Sequence, residues 1–291
     1  MGIKTSVAAL LVRAREKGAR FDSTATVGRQ SLTVPVADLA NMAKRRGITE
    51  PDWHSFAADG YCEDFLRSYL GAQAVTSFDA SPYQNASVVH DFNQPVPAAY
   101  LAAFDAVIDG GTMEHIFDVR QVLANYMGMV KEGGSLFIIT PANNLCGHGF
   151  YQFSPELFYR VFSDDNGFRV ESLCLIETAS HFVERSRRQA VFQTVDPATL
   201  RRRISIVGDK PVSLYVHARR IAVKPLFATP PQQSDYKASW QEAESGEELS
   251  RGRDTRKPFA YFSPWEAFRR RLRQRRKNSL KNRKWFEPLV P

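Results

Sequence analysis

The stretch FDAVIDGGTMEHIFDVRQVLANYMGMVKEGGSLFIITPANN, Phe104 to Asn144, reads as a strand, a loop, a helix and a second strand. Ala106, Val107 and Ile108 form a short apolar run that ends on Asp109, and Gly110 and Gly111 then let the backbone turn sharply. Val119, Val122, Leu123, Tyr126 and Met127 recur at three- and four-residue steps on one helical face, and Gly133 and Gly134 predict the stop. Ser135 to Thr140 is apolar and β-branched, as in a buried parallel strand, and Pro141 predicts its end. Two loops, Asp109 to His115 and Pro141 to Tyr151, then leave the carboxyl ends of neighbouring strands, where open α/β sheets bind ligands.

Outward from this unit the pattern continues. Ala74 to Asp79 predicts a strand ending on an acid, followed by Ala80 and Ser81, and Ala86 to His90 predicts another, followed by Asp91, Phe92 and Asn93. TATVGRQSLTV, Thr24 to Val34, holds the first strand, and helices are predicted over Val36 to Arg46 and Tyr61 to Leu70. Ser154 and Pro155 open a helix as N-cap and first residue, which leaves Asn144, His148, Tyr151 and Gln152 in the loop above the sheet edge. Phe168 to Glu177 and Val212 to Ile221 alternate as a final antiparallel pair at one edge. The fold class is α/β, a doubly wound, mostly parallel sheet of seven strands with an antiparallel edge strand.

With 43% hydrophobic and 12% aromatic residues in 291, a large core is assured. Cys62, Cys146 and Cys174 are odd in number and unclustered, which argues against a disulfide framework and a zinc site, and no metal ligands are assigned. No apolar run approaches the ~20 residues that span a bilayer, so a cytoplasmic protein is expected.

The charge is uneven. Residues 251–291 carry 14 Lys plus Arg against 3 Asp plus Glu, a net +11, so the remaining 250 residues carry −3 of the chain's total of +8. Four segments follow: an N-terminal helical segment (1–23), the α/β domain (24–228), a polar linker rich in turn residues (229–257) and a basic tail (258–291). In that tail Pro264 can open a helix with Trp265, Phe268 and Leu272 on one face and Arg269, Arg270, Arg271, Arg273, Arg275 and Arg276 around it. Such a segment suits an anionic membrane surface, giving peripheral attachment, or a nucleic acid; the alternative is a solubilising charge run.

The residues Phe104, Asp105, Val107, Glu114, His115, Lys131, Gly133 and Gly134 resemble the fourth-strand signature of class I S-adenosylmethionine-dependent methyltransferases of the type 11/23 kind. The resemblance implies a Rossmann-like domain with S-adenosylmethionine as cofactor. By position it implies cofactor contacts from Gly28, Arg29, Asp79, Ala80, Ser81, Asp91, Phe92, Asp109, Gly110 and Glu114. Asp79 would take the ribose hydroxyls, Asp91 the adenine amino group, and Phe92 the adenine ring. Asn144, Tyr151 and Gln152 would line the acceptor pocket. His115 first, and His148 second, are the candidate bases for a hydroxyl acceptor, because histidine titrates near neutral pH. Structural roles stand beside each: caps for the acids, backbone hydrogen bonding for His148, and a helix-start contact to Asp118 for His115.

One departure is plain. The glycine-rich loop of the family is reduced to Gly28, with Arg29 and Gln30 where small residues are expected, and Asp79 follows Gly28 by 51 residues instead of the ~20 of the dinucleotide fingerprint. The expected activity is methyl transfer to a small-molecule, sugar or glycan-precursor acceptor. The competing expectations are a cofactor-free binding scaffold and a nucleic-acid methyltransferase guided by the basic tail.

Overall fold

The computed structural model describes residues 2–178, 189–200, 205–245, 265, 268–269, 271–273 and 278–290. In chain order the elements are α1 (Thr5–Glu16), β1 (Ser23–Val27), α2 (Val36–Arg46), α3 (Glu63–Leu70), β2 (Ala74–Asp79), β3 (Val88–Val89), β4 (Phe104–Asp109), α4 (Val119–Met129), β5 (Val130–Asn143), α5 (Pro155–Val161), β6 (Phe168–Thr178), β7 (Gln189–Thr194), α6 (Pro197–Leu200), β8 (Val212–Arg220), α7 (Ser234–Ser245) and β9 (Phe286–Leu289).

One sheet runs β3-β2-β1-β4-β5-β8-β6-β7-β9. The pairs from β3 to β5 are parallel and those from β5 to β9 antiparallel. The chain starts at β1, goes outward to β2 and β3, and returns to β4 on the other side of β1. The switch point of this doubly wound sheet therefore lies between β1 and β4.

Period-two alternation splits the core. Val107, Leu136 and Ile138 face one apolar layer with α4 residues Val122, Leu123 and Tyr126, while Ala106, Ile108, Phe137 and Ile139 face a second with α1, α2 and α3. The second layer takes Leu10 and Leu11 of α1, Leu39 and Met42 of α2, and Phe65 and Tyr69 of α3, all at most 7% exposed. Burial of each of these larger side chains is worth about 1.5–3 kcal/mol against exposure. The N-terminal helical segment is thus part of the core.

The structure departs from the sequence expectation in six places. The sheet has nine strands among the described residues, where seven were expected, because β7 and β9 extend it. The antiparallel strands β6 and β8 are interior, since β8 sits between β5 and β6, and the edge passes to β9. The strand predicted over Ala86 to His90 pairs only at Val88 and Val89, and α3 starts at Glu63 instead of Tyr61.

β5 is longer than Ser135 to Thr140 at both ends. Helix α4 runs straight into it at Met129, and Gly133 and Gly134 form an irregularity where the pairing with β4 shifts register. A Cβ on Gly134 would lie 2.8 Å from the Asp105 carbonyl oxygen, so glycine is needed for close backbone approach rather than for a helix stop. Pro141 stays inside the strand because the ladder to β8 also shifts register there, between Pro141 and Asn143. Finally, the stretch read as a polar linker contains α7.

Of the basic segment, Trp265, Phe268, Arg269, Arg271, Leu272 and Arg273 are helical, and the two aromatic rings and Leu272 are exposed. Pro264, Arg270, Arg275 and Arg276 lie outside the described residues. Further on, Trp285 and Phe286 are buried and lead into β9. Among the described residues no helix is long and apolar enough to cross a membrane.

Candidate functional site

The carboxyl ends of β1, β2 and β4 lie side by side, with Val27 paired to both Phe78 and Asp109, and Asp79 paired to Val89. Asp79 is half-buried at the tip of β2. One of its carboxylate oxygens accepts the Ser81 amide at 3.1 Å, and the other makes no hydrogen bond within the described chain. Ala80 is exposed beside it.

At the switch point itself stands Gln30, 3% exposed. Its side-chain amide donates to the carbonyl oxygens of Val27 and Gly28. Its Oε1 lies 2.2 Å from where a Cβ on Gly110 would be, so the side chain is threaded between the tips of β1 and β4 and needs glycine at 110. Thr112 reinforces the closure, its hydroxyl donating to the Val27 carbonyl at 2.8 Å. The neighbouring Arg29 donates to Glu63 and to Asp59 at 2.7 Å each and lies 3.9 Å over the Tyr61 ring. Burial works against its charge, but the Glu63 hydrogen bond and the Glu63 and Asp59 charges outweigh it and hold the guanidinium above its ordinary pKa. Arg29 and Gln30, where the resemblance implies small residues, thus fill the loop after β1.

Several expected cofactor contacts are engaged elsewhere. Asp109 is fully buried, and its carboxylate accepts the amides of Gly111, Thr112 and Met113 and the Tyr126 hydroxyl at 2.7–3.0 Å. Burial raises its pKa in spite of these bonds, and burial and Asp109 together push the Tyr126 phenol well up. Asp109 therefore builds the loop that follows it. Phe92, expected against adenine, is 3% exposed and packs edge-on against Phe78, Tyr126 and His90, a core position. Asp91 is exposed and closes a turn by accepting the Asn93 backbone and side-chain N–H groups, which hold its carboxyl below the ordinary range.

The acceptor candidates behave likewise. Asn144 donates to the carbonyls of Gly208 and Lys210, Tyr151 donates to the Phe117 carbonyl at 2.8 Å, and Gln152 accepts the Leu145 amide at 2.9 Å. These side chains hold the loop after β5 in shape.

The loops after β4 and β5 do bring Glu114, His115 and His148 together. Glu114 is fully buried, the Thr140 hydroxyl donates to its Oε2 at 3.1 Å, and its Oε1 faces both imidazoles. Burial first, and the Asp109 charge second, push its carboxyl up to about 8. The two imidazole rings lie 5.2 Å apart, and burial holds His115 below its ordinary pKa. The Phe150 amide donates to the Glu114 carbonyl at 2.7 Å. Gly149, with φ +81°, permits that approach, since a Cβ there would lie 2.7 Å from the same oxygen. Phe117 and Phe150, 75% and 69% exposed, stand edge-on at 6.4 Å on the rim. Sequence reasoning missed these phenyls; the only signal was the density of aromatic residues in the two loops.

No protein-family profile matches the chain, and comparison with curated proteins finds no match. Among solved structures it is similar to the trans-methyltransferase CalH in complex with SAH, at 12% identity and a TM-score of 0.40, over 74% of this chain and 55% of that one. It is also similar to the N-methyltransferase NodS from Bradyrhizobium japonicum, at 10% identity and 0.41, over 75% and 96%. A third is a methyltransferase of Bacillus halodurans, at 11% and 0.38, over 74% and 99%. The chain thus spans little more than half the length of CalH, and likeness at this level says nothing of substrate. The fold rests on the sheet itself: strands in the order β3-β2-β1-β4-β5, then the antiparallel β8 inserted before β6, make a Rossmann-like doubly wound α/β domain.

Proposed function

We propose that the chain transfers a methyl group from S-adenosylmethionine to a small hydroxyl-bearing acceptor, such as a sugar or glycan precursor. The observation that carries this reading is the shared sheet edge. Asp79 offers an uncommitted carboxylate oxygen at the tip of β2, and two strands away Glu114, His115 and His148 gather under an aromatic rim. Asp79 would accept the ribose hydroxyls, while the Ser81 amide fixes its other oxygen.

The free carboxylate oxygen of Asp79 supports the ribose end of this reading, and the other end requires Gln30 to swing out of the switch point. When bound, the cofactor supplies an already activated methyl group, so the chain's task is to align the acceptor oxygen with it and exclude water. His115, kept neutral by partial burial, is suited to receive the hydroxyl proton at Nε2, with His148 beside it as the alternative. Phe117 and Phe150 offer flat apolar faces to the C–H side of a sugar ring. The helical positions Arg269, Arg271 and Arg273, with Trp265, Phe268 and Leu272 exposed among them, would add attraction to an anionic surface, testable as salt-dependent association with anionic vesicles.

Calorimetry of the full chain with S-adenosylhomocysteine tests the reading. Saturable binding that Asp79→Asn weakens supports it, and absence of heat up to millimolar ligand, with both the native chain and Gln30→Ala, removes it. The second reading, a methyltransferase-like scaffold without cofactor, is favoured by Gln30 and by the Arg29 ion pairs, and that negative result would establish it.

A further inference from the structure

Glu114, His115 and His148 stand closer to a metal centre than to a hydrogen-bonded base. Glu114 Oε1 lies 3.9 Å from His115 Nε2 and 3.7 Å from His148 Nε2, both too long for hydrogen bonds. One ligand atom from each of the three residues falls within a span of 4.8 Å. Glu114 is 0% exposed, and while its Oε2 has the Thr140 hydroxyl, its Oε1 is buried without a donor in the described chain. A buried carboxyl oxygen left without a partner is costly, and a bound ion is one way a native fold completes it. Glu114 Oε1 and His148 Nε2 are buried, and the His115 side chain, 47% exposed, is the open side of the cluster, where an ion can enter and water or a ligand oxygen can take a remaining position.

We propose that Glu114, His115 and His148 bind one divalent transition-metal ion of the zinc, ferrous or manganese class. Two histidines and a carboxylate on one side of an open position form the donor set that such borderline cations take, whereas magnesium and calcium want oxygen. Bonds of about 2.0–2.2 Å put ligand atoms roughly 3.0–3.5 Å apart, so the cluster must contract by about an ångström, which asks for a change of side-chain rotamer at the exposed His115 and a smaller shift at the half-buried His148. The buried Glu114, pinned by Thr140 and by the Phe150 amide on its carbonyl, is the fixed ligand. The site goes beyond the methyl-transfer reading and does not need it. If both hold, the ion binds the acceptor oxygen and makes its hydroxyl acidic, and the histidines act as ligands instead of bases.

The test uses the full chain without a histidine tag, stripped with chelator and dialysed. Zn2+ is titrated by calorimetry and Co2+ by its visible absorption. The expected result is one ion per chain at about micromolar Kd or tighter, with His115→Ala and His148→Ala each weakening binding at least ~10-fold and His54→Ala, at an exposed histidine outside the cluster, leaving it unchanged. Circular dichroism confirms that the variants fold. Absence of one-to-one binding up to millimolar Zn2+, or binding that neither histidine variant weakens, overturns the proposal. S-adenosylhomocysteine is titrated separately into the stripped protein, so failure of the metal site and failure of the cofactor reading give different patterns.

Discussion

Replacing Gln30 with alanine should tighten the binding of S-adenosylhomocysteine. In the structure the Gln30 amide lies across the gap between β1 and β4, bonded to the Val27 and Gly28 carbonyls and touching the backbone of Gly110. A nucleoside at the switch point must displace it and break both bonds. Each neutral hydrogen bond contributes about 0.5–1.5 kcal/mol net, so displacement costs about 1–3 kcal/mol. Some of this returns when Oε1, buried without a partner, regains water. A net penalty of about 1–2 kcal/mol corresponds to roughly 5- to 30-fold in Kd, the gain expected when Gln30→Ala removes the obstruction. The variant should melt lower, because a well-packed buried side chain is lost, while its affinity rises. Isothermal titration of both proteins, with circular dichroism to confirm folding, makes the measurement. Equal or weaker binding by folded Gln30→Ala would refute the idea that this side chain occupies the ligand's place.

Asp79→Asn should weaken S-adenosylhomocysteine binding by ~10- to 100-fold in calorimetry, the loss expected for hydrogen bonds to a charged group, with little change in melting temperature because Asp79 is half-buried and holds only the Ser81 amide. Tyr126→Phe removes a buried 3.0 Å hydrogen bond to Asp109 and should lower the urea-unfolding free energy by about 1–3 kcal/mol; a loss below a few tenths would show that the bond does not hold the loop after β4. His217, stacked at 4.5 Å on Phe137 and only 8% exposed, has its pKa pushed down to about 4 by burial first and by the Lys17 and Arg219 charges next. Its folded pKa lies below the unfolded ~6.5, so the unfolded chain takes up the extra proton and stability falls as pH drops through the window from 6.5 to 4. By pH 4.5 the His217 share of that loss is about 2–3 kcal/mol, and His217→Gln should flatten that part of the urea-unfolding profile; an unchanged profile would contradict it.

The parts of the fold legible in the sequence were those with strong periodicity. β2 and α2 fall on the residues expected, Ala74–Asp79 and Val36–Arg46, because an alternating or three-four pattern coincides there with clear end signals. β9 was not legible: four residues, FEPL, carry a proline and an acid and become a strand only because β7 offers an open edge beside the buried Trp285 and Phe286. β5 was truncated in the reading because Gly-Gly and Pro ordinarily punctuate, and only the register shifts against β4 and β8 let them stay inside a strand. Within the site, Glu114, His115 and His148 were named from the two loops, but no spacing rule relates position 148 to 114, so that they meet was not legible. Asp109 and Phe92 were assigned outward roles that the core claims, since sequence position gives the strand tip and not the direction of the side chain. Gln30 was visible only as an exception to a glycine pattern, and its direction was supplied by the fold.

The pairing of β9 with β7 changes how the positive charge of residues 251–291 can be dissected. Cutting the chain before that segment would remove the positive charge and also unzip a β-ladder, leaving one edge of Val191 to Thr194 open and ready to recruit a second molecule. A truncated protein that then clumped, or lost contact with an anionic surface, would report a frayed border as readily as missing arginines. Glutamine at Arg269, Arg271 and Arg273 lowers the segment's net charge from +11 to +8 and leaves that border stitched.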